Sequence, residues 1–228
     1  MQNIILLHGA LGSKKQLEPL EQILKKNFQV FSFDFEGHGE QEETEKHYSI
    51  GLFSKNLLSF MNQNGLKQAC IFGYSMGGYV ALYTAKLYPE RFTGIFTLAT
   101  KFDWNPETSR KEAAMLNPEK IKEKVPKFAL ELENRHGNKW EALLMNTAQM
   151  MLEMGANPPF SLKDAAEVKT KSLLSVGEND VMVSLEETAA VQKSIPGAKF
   201  LVLPATPHQF EKVNLNDLVR EIKGFLDM

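Results

Sequence analysis

Only one cysteine, Cys70, occurs in the 228 residues. Without a second thiol no intramolecular disulfide can form, so nothing implies an oxidising compartment. An excess of one charge is also lacking: 26 basic side chains stand against 28 acidic ones, a formal net charge of −2. That balance offers no electrostatic footing for nucleic acid or an anionic membrane surface. Long hydrophobic runs are missing as well. The stretch Ile4-Ile5-Leu6-Leu7 stops at His8-Gly9 with no positive charge before it, too short for a signal-peptide core or a membrane span. The chain contains no H-E-x-x-H, no cysteine pair and no His/carboxylate cluster at ligand spacing, so no metal is expected. Its glycine-rich segment Gly73 to Gly78 lacks the Lys-Ser/Thr ending of a nucleotide P-loop. The expectation is a soluble, cytoplasmic protein that uses no cofactor and acts on a small molecule. The composition says nothing of oligomeric state.

What is present is an alternation of short apolar runs with longer helical patterns. Ile4–Leu7, Gln29–Phe33, Gln68–Phe72, Gly94–Leu98, Lys171–Val176 and Lys199–Leu203 read as strands. Leu17, Leu20, Ile23 and Leu24 recur at helical spacing within Lys14–Lys26, and Leu52, Phe53, Leu57, Phe60 and Met61 within Ile50–Asn64. Tyr79–Tyr88 reads as a third helix. Strands separated in this way predict an α/β fold: a mostly parallel sheet of about six strands with helices on both faces. The rhythm breaks between about Phe102 and Val168, where Pro106, Pro118, Pro126 and Asn157-Pro158-Pro159 punctuate helical patterns. The expected organisation is a core of residues 1–101 and 169–228 with a helical insertion over 102–168.

Gly73-Tyr74-Ser75-Met76-Gly77 fits G-x-S-x-G and sits between a strand and a helix. A serine on so sharp a strand-to-helix turn is strained, and small residues are needed two places before and after it. Its hydroxyl then stands clear of the sheet, with a helix N-terminus behind it to favour developing negative charge. The bland alternative is a glycine-rich turn that merely opens a helix.

In this context the chain resembles the α/β-hydrolase family over nearly its whole length. His8-Gly9-Ala10-Leu11-Gly12 resembles the family's oxyanion loop, and Asp34-Phe35-Glu36-Gly37-His38-Gly39 its D-x-x-G-x-G turn. Gly177-Glu178-Asn179-Asp180 is similar to the segment that carries the triad acid, and Pro207-His208-Gln209-Phe210 to the one that carries the base. The order Ser, Asp, His is the family's own.

Ser75 needs a base to take its proton as it attacks a carbonyl carbon, and imidazole suits that near neutrality. Of the five histidines, His8 and His38 sit in loop-shaping motifs, and His47 and His136 lie in polar stretches with no strand end nearby. Only His208 follows a strand C-terminal to the serine. Asp180 is the expected acid that holds the imidazole tautomer, with Asp103 after the fourth strand as a competitor. Asp34 reads as an anchor for its own turn. The resemblance implies an oxyanion hole built from the Ala10 and Met76 N–H groups. Cys70, mid-strand, reads as a small buried hydrophobe.

Five of the ten methionines, Met115, Met145, Met150, Met151 and Met154, fall in the insertion with Trp140. The family places a helical cap here, so Leu11, Tyr74, Trp140, Met145 and Met150 are the expected pocket residues. Together these features predict a serine hydrolase that cleaves a small to medium ester or thioester with an apolar acyl part. Two other uses of the same constellation stand beside it: C–C bond chemistry on an anionic metabolite, and small-molecule reception. Gly-Tyr-Ser-Met-Gly-Gly also resembles the menaquinone-pathway lyases of this fold. Those carry a basic residue immediately after this motif, where this chain has Tyr79.

Overall fold

A computed structural model of the chain describes residues 1–42 and 47–227. Six strands form one sheet: β1 (Asn3–Leu7), β2 (Gln29–Ser32), β3 (Ala69–Tyr74), β4 (Phe92–Leu98), β5 (Ser172–Gly177) and β6 (Lys199–Leu203), in the order β2-β1-β3-β4-β5-β6. Every neighbouring pair is parallel. The central strands β3 and β5 are buried at every position, as expected when helices cover both faces.

The period-two alternation of each strand divides the core. Ile5, Leu7 and Ile71 face one apolar cluster, while Ile4, Leu6, Cys70 and Phe72 face the other. The second cluster is closed by α1 (Lys14–Leu24) and α10 (Leu215–Leu226), whose Leu17, Leu20, Leu218 and Ile222 recur at helical spacing. The first is closed by α2 (Ile50–Gln63), α3 (Met76–Leu87) and α9 (Leu185–Ser194).

Between β4 and β5 the chain is helical throughout: α4 (Pro106–Ala114), α5 (Pro118–Lys124), α6 (Pro126–His136), α7 (Trp140–Ala156) and the short α8 (Leu162–Ala165). Three of these begin with proline, which has no N–H to leave unpaired at a helix start. Asn105 and Asn117 cap α4 and α5 through their side chains. Helices α4 and α7 pack closely, since a Cβ on Gly155 would lie 2.0 Å from Ser109 Oγ.

One element differs from the sequence expectation. The third helix begins at Met76, immediately after Ser75, rather than at Tyr79. Gly77 and Gly78 are poor helix formers and read as turn, yet here they are required. A Cβ on Gly77 would meet the Leu7 carbonyl oxygen at 2.5 Å, and one on Gly78 would meet Thr100 Oγ1 at 2.1 Å. The helix lies against β1 and β4 because these side chains are missing.

The strand order reverses direction at β1: the chain passes outward to β2, then back to β3 on the other side. In open α/β sheets, ligand sites lie beyond the carboxyl ends of the strands at such a switch point. The loops after β1 and β3 carry Ala10 and Ser75.

Candidate active site

Ser75 adopts φ 51, ψ −118, a left-handed conformation that a non-glycine residue enters only under external constraint. The constraints are local hydrogen bonds. The Ser75 N–H donates to the Leu98 carbonyl at 2.8 Å, and its carbonyl accepts from the Gly78 N–H and the Thr100 hydroxyl, each at 3.0 Å. A Cβ on Gly73 would approach Gly78 N to 2.5 Å, so the turn closes only with glycine there.

His208 lies beside it, with Nε2 3.5 Å from Ser75 Oγ. On the other ring nitrogen, Nδ1 is 2.8 Å from Asp180 Oδ2. The Asp180 side chain is fully buried, and its second oxygen accepts from the Met182 and Val183 N–H groups at 2.8 and 2.9 Å. An imidazole with its proton on Nδ1 donates to this carboxylate and leaves Nε2 as the acceptor facing Ser75. The Tyr74 hydroxyl donates to the His208 carbonyl at 2.9 Å and so secures the backbone of that residue. Burial pushes this phenol above its usual range, which keeps it a donor. Asp103 takes no part. It is exposed, and its carboxylate accepts from the Asn105 side chain in the turn before α4.

The segments after β5 and β6 are tied together. Asn179 N–H donates to the Thr206 carbonyl at 3.0 Å, and Ala205 N–H to Glu178 Oε2 at 2.9 Å. A Cβ on Gly177 would sit 2.0 Å from that same Thr206 carbonyl.

The loop after β1 turns tightly from Gly9 to Gly12, whose N–H donates to the Gly9 carbonyl at 3.1 Å. Gly9 lies so close to the serine that its Cβ would be 3.0 Å from that of Ser75. His8 is a scaffold, as its motif suggested. Its Nδ1 is 2.8 Å from the Gly9 carbonyl, and its Nε2 accepts from the Phe35 N–H at 3.1 Å. Asp34 anchors its turn by accepting from the Lys14 and Glu40 N–H groups. His136 was not foreseen in this region. It is buried and bridges the loops after β1 and β2. Desolvation holds both His8 and His136 down to about 4, and His38 well below its ordinary value, so all are neutral near pH 7.

A cavity of about 1030 Å³ opens over the serine. Ser75, His208, Ala10, Leu11, Tyr74, Met76 and Met150 all line it. Trp140 and Met145 do not. Met145 projects from the opposite side of α7 and is 56% exposed, while Trp140 is buried in the insertion with the Lys122 ammonium 5.6 Å above its ring. Helical rotation explains Met145, which is five residues from Met150 and so points to nearly the opposite side at 100° per residue; Trp140 shares the cavity side of α7 but stands ten residues, about 15 Å, further along the helix axis. The apolar wall also includes Trp104, Met151, Met154 and Met182. Among the described residues, no group of three or more His, Cys, Asp or Glu side chains is arranged to hold a metal, and no helix is long and apolar enough to cross a membrane.

Known proteins share this fold. The family described as alpha/beta hydrolase fold matches residues 2–167. A putative esterase/lipase of Haemophilus influenzae is 20% identical over 98% of this chain and 83% of its own. A probable alcohol acetyltransferase of Cyberlindnera fabianii is 36% identical over 38% of this chain, a match that spans 24% of that protein's length. Among solved structures, a thermophilic esterase from Thermogutta terrifontis superposes with a TM-score of 0.81 at 20% identity, over 100% of this chain and 90% of its own. The chain belongs to the alpha/beta hydrolase fold family.

Proposed function

We propose that the protein cleaves a small to medium carboxylic ester or thioester through an acyl-enzyme on Ser75. One observation carries the reading: the hydrogen-bonded chain Ser75–His208–Asp180 opens into a largely apolar, methionine-walled cavity. His208 Nε2 takes the hydroxyl proton as Oγ attacks the acyl carbon, and the buried Asp180 carboxylate stabilises the imidazolium that results. The 3.5 Å separation of Oγ and Nε2 is of the kind that shortens when substrate fills the site. The Ala10 and Met76 N–H groups receive the developing oxyanion; Met76 stands in the first turn of α3, where N–H groups have no intrahelical acceptor. His208 returns the proton to the leaving alcohol or thiol, then activates water to release the acid. The helices of residues 102–168 act as a cap that supplies the apolar acyl wall from Trp104, Met150, Met151 and Met154.

Lyase chemistry on an anionic metabolite is the weaker reading. At the position after the serine motif, Tyr79 brings no charge, and its hydroxyl is engaged with the Phe160 backbone at 3.0 and 3.1 Å. Of the four cations among the described residues that line the cavity, Lys15, Lys101 and Arg135 lie 2.7, 3.7 and 3.8 Å from Glu40, Glu112 and Glu211, and Lys212 is the fourth.

The test is intact-mass spectrometry after fluorophosphonate treatment, beside turnover of short and medium acyl nitrophenyl esters. A single adduct that disappears in Ser75→Ala is expected, together with turnover that Asp180→Asn lowers far more than Asp103→Asn. An adduct without ester turnover would favour the lyase or receptor reading, and no adduct would remove Ser75 as nucleophile.

A further inference from the structure

Leu11 has φ 58, a left-handed conformation unfavourable for a branched side chain, in the middle of the turn that carries Ala10. Such a residue persists only where its surroundings over-determine it. The surroundings here come from the helical insertion, more than a hundred residues away in sequence. His136 Nε2 and Arg135 NH1, both at the end of α6, each lie 2.9 Å from the Leu11 carbonyl oxygen. The other imidazole nitrogen, Nδ1, accepts from the Gly39 N–H at 2.9 Å, and Gly39 is itself at φ 52 against Asp34. A neutral ring with its proton on Nε2 satisfies both bonds at once.

We propose that His136, with Arg135, is a positioning residue: it holds the Leu11 carbonyl so that the Gly9–Gly12 turn aims the Ala10 N–H at the oxyanion. The inference rests on the hydrolase reading for its catalytic consequence, but not for its geometry. Buried donors preorganised toward developing charge cost no rearrangement during reaction, and misplacing one removes that benefit. The bonds to Leu11 cross from the insertion to the strand-end loop, so the same contact makes the oxyanion turn sensitive to how the insertion sits.

Two substitutions separate this role from simple packing. His136→Gln can still present an N–H where Nε2 stood but loses the bond to Gly39. His136→Asn can still accept from Gly39 but falls short of Leu11. With 15N-labelled full-length protein, His136→Asn is expected to move the Ala10 amide resonance while His136→Gln leaves it near its original position. On an ester the parent protein turns over, His136→Asn should lower kcat about 10- to 100-fold with KM little changed, and His136→Gln should keep kcat within about threefold. An unmoved Ala10 resonance in both variants, or equal losses in both, overturns the proposal. Should His136→Asn fail to fold, Arg135→Leu removes the other donor from a part-exposed position and must move the same resonance. If the unmodified protein gives no fluorophosphonate adduct, the hydrolase reading fails while the Ala10 resonance still decides the clamp.

Discussion

At Ser75 the backbone holds a strained conformation. Its φ of 51 with ψ −118 costs an L-residue roughly 1–3 kcal/mol, whereas glycine enters it freely. The ordinary order of alanine and glycine should therefore invert here. Ser75→Gly is expected to be more stable than Ser75→Ala by about 1 kcal/mol in urea denaturation, with both inactive. Alanine at or above glycine would mean the turn relaxes once the hydroxyl is gone. The buried Cys70 illustrates the opposite case, a reactive group type kept inert: burial pushes its thiol up to about 12.

Among the elements, the loops that carry Asp180 and His208 meet at Gly177, the first residue of the segment that leads to Asp180. Gly177 ends β5, and the Thr206 carbonyl occupies the space a Cβ would need, 2.0 Å away. Gly177→Ala must push the segment after β6 outward and, with it, the His208 ring from Asp180. The expected result is a loss of about 1–3 kcal/mol of stability from overpacking and at least about tenfold in kcat, read by thermal unfolding and ester turnover. Stability lost with kcat intact would show that the two loops shift together and keep their spacing. The same reasoning explains the early start of α3, where Gly77 and Gly78 let a helix lie directly on the Leu7 carbonyl and Thr100.

For the molecule as a whole, three neutral imidazoles buried in one cluster set a pH dependence of folding. His8 and His136 are held down to about 4 and His38 is lowered well below 6.5, in each case chiefly by burial; ring centroids of His8 and His136 lie 5.0 and 6.0 Å from that of His38. The unfolded chain protonates these groups near 6.5, so it binds more protons than the folded one between about pH 6.5 and 4. Their contribution is complete above that window and is lost as pH falls through it. With up to three protons involved, the slope reaches roughly 4 kcal/mol per pH unit. Urea denaturation at pH 7, 6 and 5 should show the fall; a flat profile would mean that the histidines bind protons without unfolding.

Much of this was legible along the chain. The six strands, the helices on either side and the helical stretch between β4 and β5 follow from periodicities of two and 3.6, which are local properties of the sequence. Ser75, Asp180 and His208 follow from short motifs at strand ends, and the fold brings these three together. Contacts between distant segments carry no such signature. His136 stands in a polar stretch, and its bond to Leu11, 125 residues away, arises only when α6 settles against the loop after β1. Trp140 and Met145 match the composition of a pocket, but the rotation of α7 turns Met145 from the cavity and Trp140 stands too far along the helix axis to reach it. Met182 enters that cavity from the loop that holds Asp180, outside the insertion altogether. Sequence by itself determined the elements and the strand-end motifs that carry Ser75, Asp180 and His208, because chain periodicity and backbone sterics encode both. Tertiary structure alone decided which side chains hydrogen-bond the Leu11 carbonyl and which line the cavity, because burial and hydrogen bonding depend on distances between segments that local sequence does not specify.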